Sequence, residues 1–393
     1  MTQELNVKDF PLAEFKAVIK SHLLIKDDTI IDVIVATIVA NFLEADPLWL
    51  LLIGPPSSGK TELLNTISKL PFIYMLSNLT PSTLISGKPK TNGFDPSLIY
   101  LLNDKIVVMK DFTTVLDMRP DNKKEILSQL REVYDGYYSK AFGSSNGGEV
   151  KKEWSGHIGF LGACTPAYDK HYAVIGTMGD RFLLYRCGDD DVGIDLGLIA
   201  LEALGSEKPM REKMQQAAQR YFNQFKGKDF YHIPVEGEVK RRIATLATLC
   251  ASFRCPVSRD HWDREIDYKP QPEGPQRLSK QLFQMALALT YAYGEKEINE
   301  FILATVAKIA RDLMSDNRRS VIEFLYRNSS SPLTTTEIAT AVDLPGNTAL
   351  RLLEDFMVLK VLKRERESTE QGKPYYWSMR KRFLDQIKYV GMF

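Results

Sequence analysis

The sequence predicts a mixed α/β fold: a parallel sheet layered with helices, then an all-helical stretch, then a small C-terminal unit. Three observations carry this reading. Between Trp49 and Cys187, short apolar runs alternate with helical periodicity, the pattern of strands buried on both faces and covered by helices. A glycine-rich loop, Gly54-Pro55-Pro56-Ser57-Ser58-Gly59-Lys60-Thr61, follows the first of those runs directly. From residue 195 to about 314 the apolar spacing is helical, and 317–393 reads as three helices and a hairpin.

Each element follows from local pattern. Phe10, Leu12, Phe15, Val18 and Ile19 recur at helical spacing and a second apolar stretch follows to Phe42, so 1–46 is expected to be helical up to the Asp46-Pro47 break. A core over 47–192 takes strands at 49–53, 72–75, 105–109, 156–163 and 181–186, with helices at 60–69 and 122–135. Between the last of those helices and the fourth strand, two extended runs flank Ser144-Ser145-Asn146-Gly147-Gly148, a β-hairpin with a polar tip. Leu282, Met285, Ala286, Leu289 and Tyr293 mark an amphipathic helix in a lid spanning 193–315, as do Ile302, Val306 and Ile309. In 316–393, helices are expected at 319–327, from the Thr334–Glu337 cap to Val342, and at 347–359, then two strands around Gln371-Gly372. Three helices and a hairpin in that order make a winged helix-turn-helix.

Composition narrows the function classes. The chain has 393 residues, room for two or three domains at roughly 100–200 residues each. Its 51 basic and 50 acidic side chains leave no overall polycation, so any nucleic-acid contact must come from a local patch. Cys164, Cys187, Cys250 and Cys255 form no disulfide framework, and Cys250 and Cys255 with His261 fit no zinc spacing. The N-terminus lacks the basic and apolar regions of a signal peptide, and the longest apolar runs are interrupted or too short to span a bilayer. A cytoplasmic protein without a membrane partner is expected.

The loop at 54–61 matches Gly-x-x-x-x-Gly-Lys-Thr between a strand and a helix, the P-loop or Walker A pattern. Gly54 and Gly59 let the backbone turn so that amides face phosphate oxygens, and the following helix adds its N-terminal dipole. Lys60 is placed to reach the β- and γ-phosphates of ATP, and the Thr61 hydroxyl to bind Mg²⁺.

Beyond the loop, residues 48–312 resemble AAA+ ATPases. In that family a second strand ends in Asp-Glu, which holds Mg²⁺ and polarises the attacking water. Here 106–109 is followed by Lys110-Asp111-Phe112, so one carboxylate is available in either register, and Asp111 is the expected metal and catalytic acid. The resemblance further implies Thr165 as the water-orienting sensor 1 and Arg181 as an arginine finger supplied in trans, with Arg186 as runner-up. It also implies Arg277 as sensor 2, ahead of Arg241 and Arg242. A finger in trans implies a homo-oligomer, most often a hexamer.

The hairpin is similar to the presensor hairpin of a subgroup containing minichromosome-maintenance helicases, which implies that Lys140, Lys151 and Lys152 hold DNA. The winged helix would present Asn347, Thr348 and Arg351 to a major groove, with Lys363, Arg364, Arg366 and Lys373 on the wing. Residues 317–393 hold 13 basic and 9 acidic side chains, a modest basic bias. The chain also resembles uncharacterised bacterial, phage and mobile-element ATPases that share Lys110–Thr113, Leu130–Gly136 and Arg181–Arg186. The expected fold is therefore an α/β P-loop AAA+ core with a parallel sheet, an α-helical lid and a C-terminal winged helix-turn-helix. The expected function is an oligomeric ATP-dependent motor on DNA, a helicase or replication-initiation ATPase. An ATP-gated DNA-binding switch, and a loader or remodelling ATPase whose winged helix binds protein, stay open.

Overall fold

The strands expected from the apolar runs pair into one sheet. In a computed structural model, which describes residues 3–4, 9–88, 95–143, 149–171, 181–188, 193–202, 204–260, 265–366 and 375–393, they are β1 (Trp49–Ile53), β2 (Ile73–Met75), β3 (Lys105–Met109), β6 (Ile158–Cys164) and β7 (Phe182–Arg186). The hairpin strands β4 (Tyr137–Gly143) and β5 (Glu149–Ser155) lie between β3 and β6 in sequence. The sheet order is β2-β3-β6-β1-β7, parallel throughout. β1, β6 and β7 are buried at every position, which is why their sequences are continuous apolar runs rather than alternating ones.

That order has a consequence for ligands. The chain leaves β1 for β2 at one edge and leaves β6 for β7 at the other, passing β1. Neighbouring strands whose outgoing connections diverge open a crevice at their carboxyl ends, where α/β sheets take ligands. Gly54 begins there, its N–H donating to Cys164 O at 3.2 Å.

Two amino-terminal helices, α1 (Leu12–Lys20) and α2 (Thr29–Ala40), precede the sheet. α2 is buried from Ile30 to Ala40, as an all-apolar helix must be. Then come α3 (Lys60–Thr66), shorter than expected, α4 (Thr113–Leu116) and α5 (Pro120–Tyr134), which opens on proline where the missing N–H costs nothing. The helical stretch supplies α6 (Gly193–Glu202), α7 (Glu207–Asn223), α8 (Gly237–Phe253), α9 (Gln276–Tyr293) and α10 (Glu300–Asp312). No helix among the described residues is long and apolar enough to cross a membrane.

The C-terminal part contains α11 (Asp316–Arg327), α12 (Thr335–Ala341), α13 (Gly346–Val358) and α14 (Lys381–Val390). β8 (Leu333–Thr334), β9 (Leu362–Arg366) and β10 (Tyr375–Met379) form a small antiparallel sheet in the order β8-β10-β9. The expected cap on α12 is a full capping box between Thr334 and Glu337. Gln371-Gly372 and Lys373 lie outside the described residues, as do the polar hairpin tip at 144–148 and His261.

The chain divides into two units: Met1–Tyr168 with Met178–Pro234 and Leu287–Glu297, and Asp169–Thr177 with Val235–Ala286 and Ile298–Phe393. These differ from the expected breaks at 46, 192 and 315. In the first unit, Phe15 of α1 stacks on Tyr221 of α7 at 5.2 Å, joining the amino-terminal helices to part of the helical stretch. In the second, Arg318 of α11 donates to Phe253 O and Cys255 O, and Phe253 packs on Phe383 of α14 at 5.7 Å.

Candidate functional site

The loop between β1 and α3 is built by two left-handed residues, Ser57 (φ 63°) and Gly59 (φ 78°). Gly59 takes that conformation without strain. Gly54 is required for a different reason: a Cβ there would meet Cys187 Cβ at 2.9 Å and Ser58 Oγ at 3.2 Å. Lys60 is only 7% exposed and turns back over the loop. Its ammonium donates to Gly54 O at 2.8 Å, Pro55 O at 2.7 Å and Ser58 Oγ at 2.8 Å. Burial pushes its pKa below the usual lysine value, and Cys187, Cys164 and Asp111 nearby oppose that drop. A cation is thus held at the mouth of the β1–β6 crevice, beside the amino end of α3. Thr61 is exposed next to it.

Asp111 follows β3 and is exposed at the same carboxyl edge of the sheet. Phe112 is 1% exposed and packs against Phe160 and Phe182 at 5.8 and 5.5 Å. The position where a second acid would fall therefore points into the core. Thr113, which the sequence did not single out, joins the acid to the end of β6. Its N–H donates to Asp111 Oδ1 at 3.0 Å, and its hydroxyl accepts the Thr165 N–H at 3.1 Å. The Thr113 and Thr165 hydroxyls are 3.5 Å apart. Burial pushes the neighbouring Cys164 thiol up to about 11. Just inside α3, Glu62 takes a two-pronged ion pair from Arg211 of α7, both contacts 2.7 Å, which holds its carboxyl below the ordinary value.

The arginines separate by position. Arg181 precedes β7 and so stands at the amino edge of the sheet, opposite the 54–61 loop. It makes hydrogen bonds to Asp135 at 3.2 and 2.9 Å and lies 5.6 Å from the Tyr134 ring centre. Arg186 ends β7 beside Ile53 and is buried at the carboxyl edge. Arg277 belongs to the second unit and donates to Glu273 at 2.7 Å, while Arg242 pairs with Glu300 and Arg241 is exposed.

Of the hairpin lysines, Lys152 requires correction as a DNA contact. It is 6% exposed, and its ammonium donates to Lys88 O at 2.9 Å, Asp95 Oδ1 at 2.9 Å and Ser97 Oγ at 3.4 Å. It bolts the hairpin to the segment before β3. Lys140 pairs with Glu125 at 2.9 Å, and Lys151 is exposed and pairs with Glu153. In the second unit Asn347 and Arg351 are exposed on α13 and Thr348 is half-buried. Lys363, Arg364 and Arg366 are exposed on β9.

No family model matches the chain. No curated protein matches it either. Among solved structures, one titled "The A form apo structure of NrS-1 C terminal region-CTR" is similar at 13% identity, covering 96% of this chain and 79% of that chain, with a TM-score of 0.33. A likeness that loose assigns neither fold family nor function.

The donor chemistry at the carboxyl edge suits one class of ion. Thr61 offers a hydroxyl and Asp111 a carboxylate, the hard oxygen donors that Mg²⁺ takes while keeping several waters. Among the described residues no group of three or more His, Cys, Asp or Glu side chains is placed to hold a metal by itself. The two residues fit an ion that arrives with phosphates rather than one held by the protein alone.

Proposed function

We propose that the chain is an AAA+-type P-loop ATPase that carries a C-terminal winged helix and acts on DNA as an oligomer. The observation that carries the reading is the cationic loop at the crevice. Lys60 sits on a turn with two left-handed residues, between a buried parallel strand and a helix N-terminus. ATP phosphates compete for the three Lys60 donors with full negative charge against neutral acceptors, so Coulomb attraction to the ammonium favours the phosphate. Thr61 and Asp111 would hold Mg²⁺, which neutralises phosphate charge when bound. Thr165, positioned through Thr113, would orient water. The order of α11, α12, α13 and the β9–β10 hairpin supports the winged-helix reading, and its exposed cations support DNA as the partner.

A second reading, an ATP-gated DNA-binding switch, is favoured by one observation: Phe112 is in the core, so β3 delivers a single carboxylate. Slow hydrolysis suits a timer more than a motor. Nucleotide titration with a fluorescent ATP analogue tests the shared premise. The wild-type protein should bind and Lys60→Ala should not, whereas a wild-type protein that fails to bind ends both readings. Steady-state turnover with and without DNA then separates them. Strong stimulation by DNA supports the motor, and ATP-dependent DNA binding with negligible turnover supports the switch.

A further inference from the structure

The exposed cations of the C-terminal unit are not equivalent. On β9, Lys363 and Glu365 lie on one face and pair at 2.8 Å, so that face is electrically spent. Arg364 and Arg366 lie on the other face, opposite Trp377 and Tyr375. At its base this face is core, with Leu362, Trp377 and Met379 buried, and it emerges toward the tip. The Arg364 guanidinium stacks 4.2 Å from the Tyr375 ring centre and 5.7 Å from that of Trp377, and Arg366 lies 5.4 Å from Tyr375. Among the described residues neither arginine has an acidic partner. Two planar cations without an acidic partner among the described residues are therefore held on an aromatic platform, their freedom already reduced.

α13 has the opposite balance. Arg351 is its one cation, and two positions beyond it are acidic. Arg259 pairs with Asp355 at 2.7 Å and Glu354 at 3.3 Å and also donates to Arg351 O, and Arg318 faces Asp355 at 3.5 Å. The carboxyl half of that helix is thus occupied by ion pairs within the unit.

We infer that the β9–β10 hairpin, through Arg364 and Arg366, is the principal phosphate-binding surface of this unit, and that its ligand is the backbone of duplex DNA. The inference rests on the nucleic-acid reading above. Residues two apart on a strand are separated by roughly 6.8 Å. Duplex DNA presents a charge about every 1.7 Å of axis, so both guanidinium groups can be engaged together. Arginine is suited to this role because its planar fork meets phosphate with two bonds and is less strongly hydrated than an ammonium. Such contacts carry no base sequence, so binding through this surface is expected to be tolerant of sequence.

The test is a salt series on the full chain with a labelled duplex, reading the slope of log affinity against log salt. Arg364→Gln/Arg366→Gln should flatten that slope by about 2, one per lost phosphate contact. Lys363→Gln should leave it unchanged, its charge being met by Glu365. Arg364→Lys/Arg366→Lys should keep the slope with weaker binding, since charge stays and the planar fork goes. If the lysine pair loses the slope as fully as the glutamine pair, the arginines only cover the aromatic edge and the inference falls. It falls also if Asn347→Ala/Arg351→Ala flattens the slope and the glutamine pair does not, or if a single strand of the same sequence binds more tightly. A wild-type chain with no salt-dependent binding to either nucleic acid overturns the nucleic-acid reading itself.

Discussion

Asp111 and Thr165 come from segments 54 residues apart, and the Thr113 side chain and amide join them within 3.1 Å. If the proposed hydrolysis uses Asp111 and Thr165, their relative placement passes through Thr113. Thr113→Val keeps the shape and removes the hydroxyl. Turnover should then fall by up to about 10²-fold, the cost of a small misplacement at a reacting centre, with nucleotide affinity nearly unchanged. Thr113→Ser should restore the rate; loss of binding in the valine variant, or no rescue by serine, would reduce Thr113 to a structural residue. The neighbouring position cannot be repaired in the same way. Phe112 packs among Phe160 and Phe182, so glutamate there would bury a carboxylate in an aromatic core instead of completing an acid pair.

The hairpin shows what an element's own sequence reveals. Lys152 and Trp154 share a face of β5 by strand alternation, and Trp154 is a large buried aromatic, so the period-2 pattern already set Lys152 on the packed side. Its partner Asp95 is 57 residues away and carries no local signal. Similarly, β1, β3, β6 and β7 were legible because burial on both faces writes continuous apolar runs. β8 and α4, which Thr113 opens, were not, because two and four residues hold too little periodicity. In the Lys152–Asp95 pair the lysine is buried and the aspartate largely covered, with side-chain exposures of 6% and 9%. Asp95→Ala should therefore destabilise the chain by about 3–5 kcal/mol in urea unfolding, because it leaves a buried ammonium without its counter-charge. Asp95→Leu with Lys152→Met should recover much of that loss. At the start of α3, the Arg211 contact holds Glu62 below its ordinary 4.5. The unfolded chain then binds the proton first as pH falls, so this contribution is present above about pH 4.5 and lost as pH falls through the folded value. Glu62→Gln should make stability less pH-dependent in that acid window; an unchanged profile by thermal unfolding across pH 3–6, roughly, would mean the pair persists in the unfolded chain.

At the scale of the molecule, the sheet register constrains where Arg181 can act. β1 and β7 run parallel with Trp49 opposite Phe182 and Ile53 opposite Arg186, so Arg181 lies level with Leu48 and the loop begins at Gly54. Six residues of strand separate those levels by about 20 Å, farther than an arginine side chain extends. Arg181 therefore cannot serve the loop of its own chain, and a finger role requires a neighbour whose loop faces this amino edge. Its bonds to Asp135 and the Tyr134 ring keep it ordered at that edge. The sequence named the residue by resemblance; the strand register supplies the reason that any action of it on a 54–61 loop would have to be intermolecular. A mixing experiment tests the point. Lys60→Ala and Arg181→Ala should each be inactive alone, one lacking the loop cation and the other the finger. Mixed in equal amounts, a random head-to-tail assembly pairs an intact loop with an intact finger at about one interface in four, so roughly a quarter of wild-type turnover should return. Recovery that rises with the concentration of the mixture would support a shared site. No recovery from subunits that still co-assemble would remove Arg181 from the reaction and leave Arg186, at the carboxyl edge beside Ile53, as the arginine to examine in the same chain.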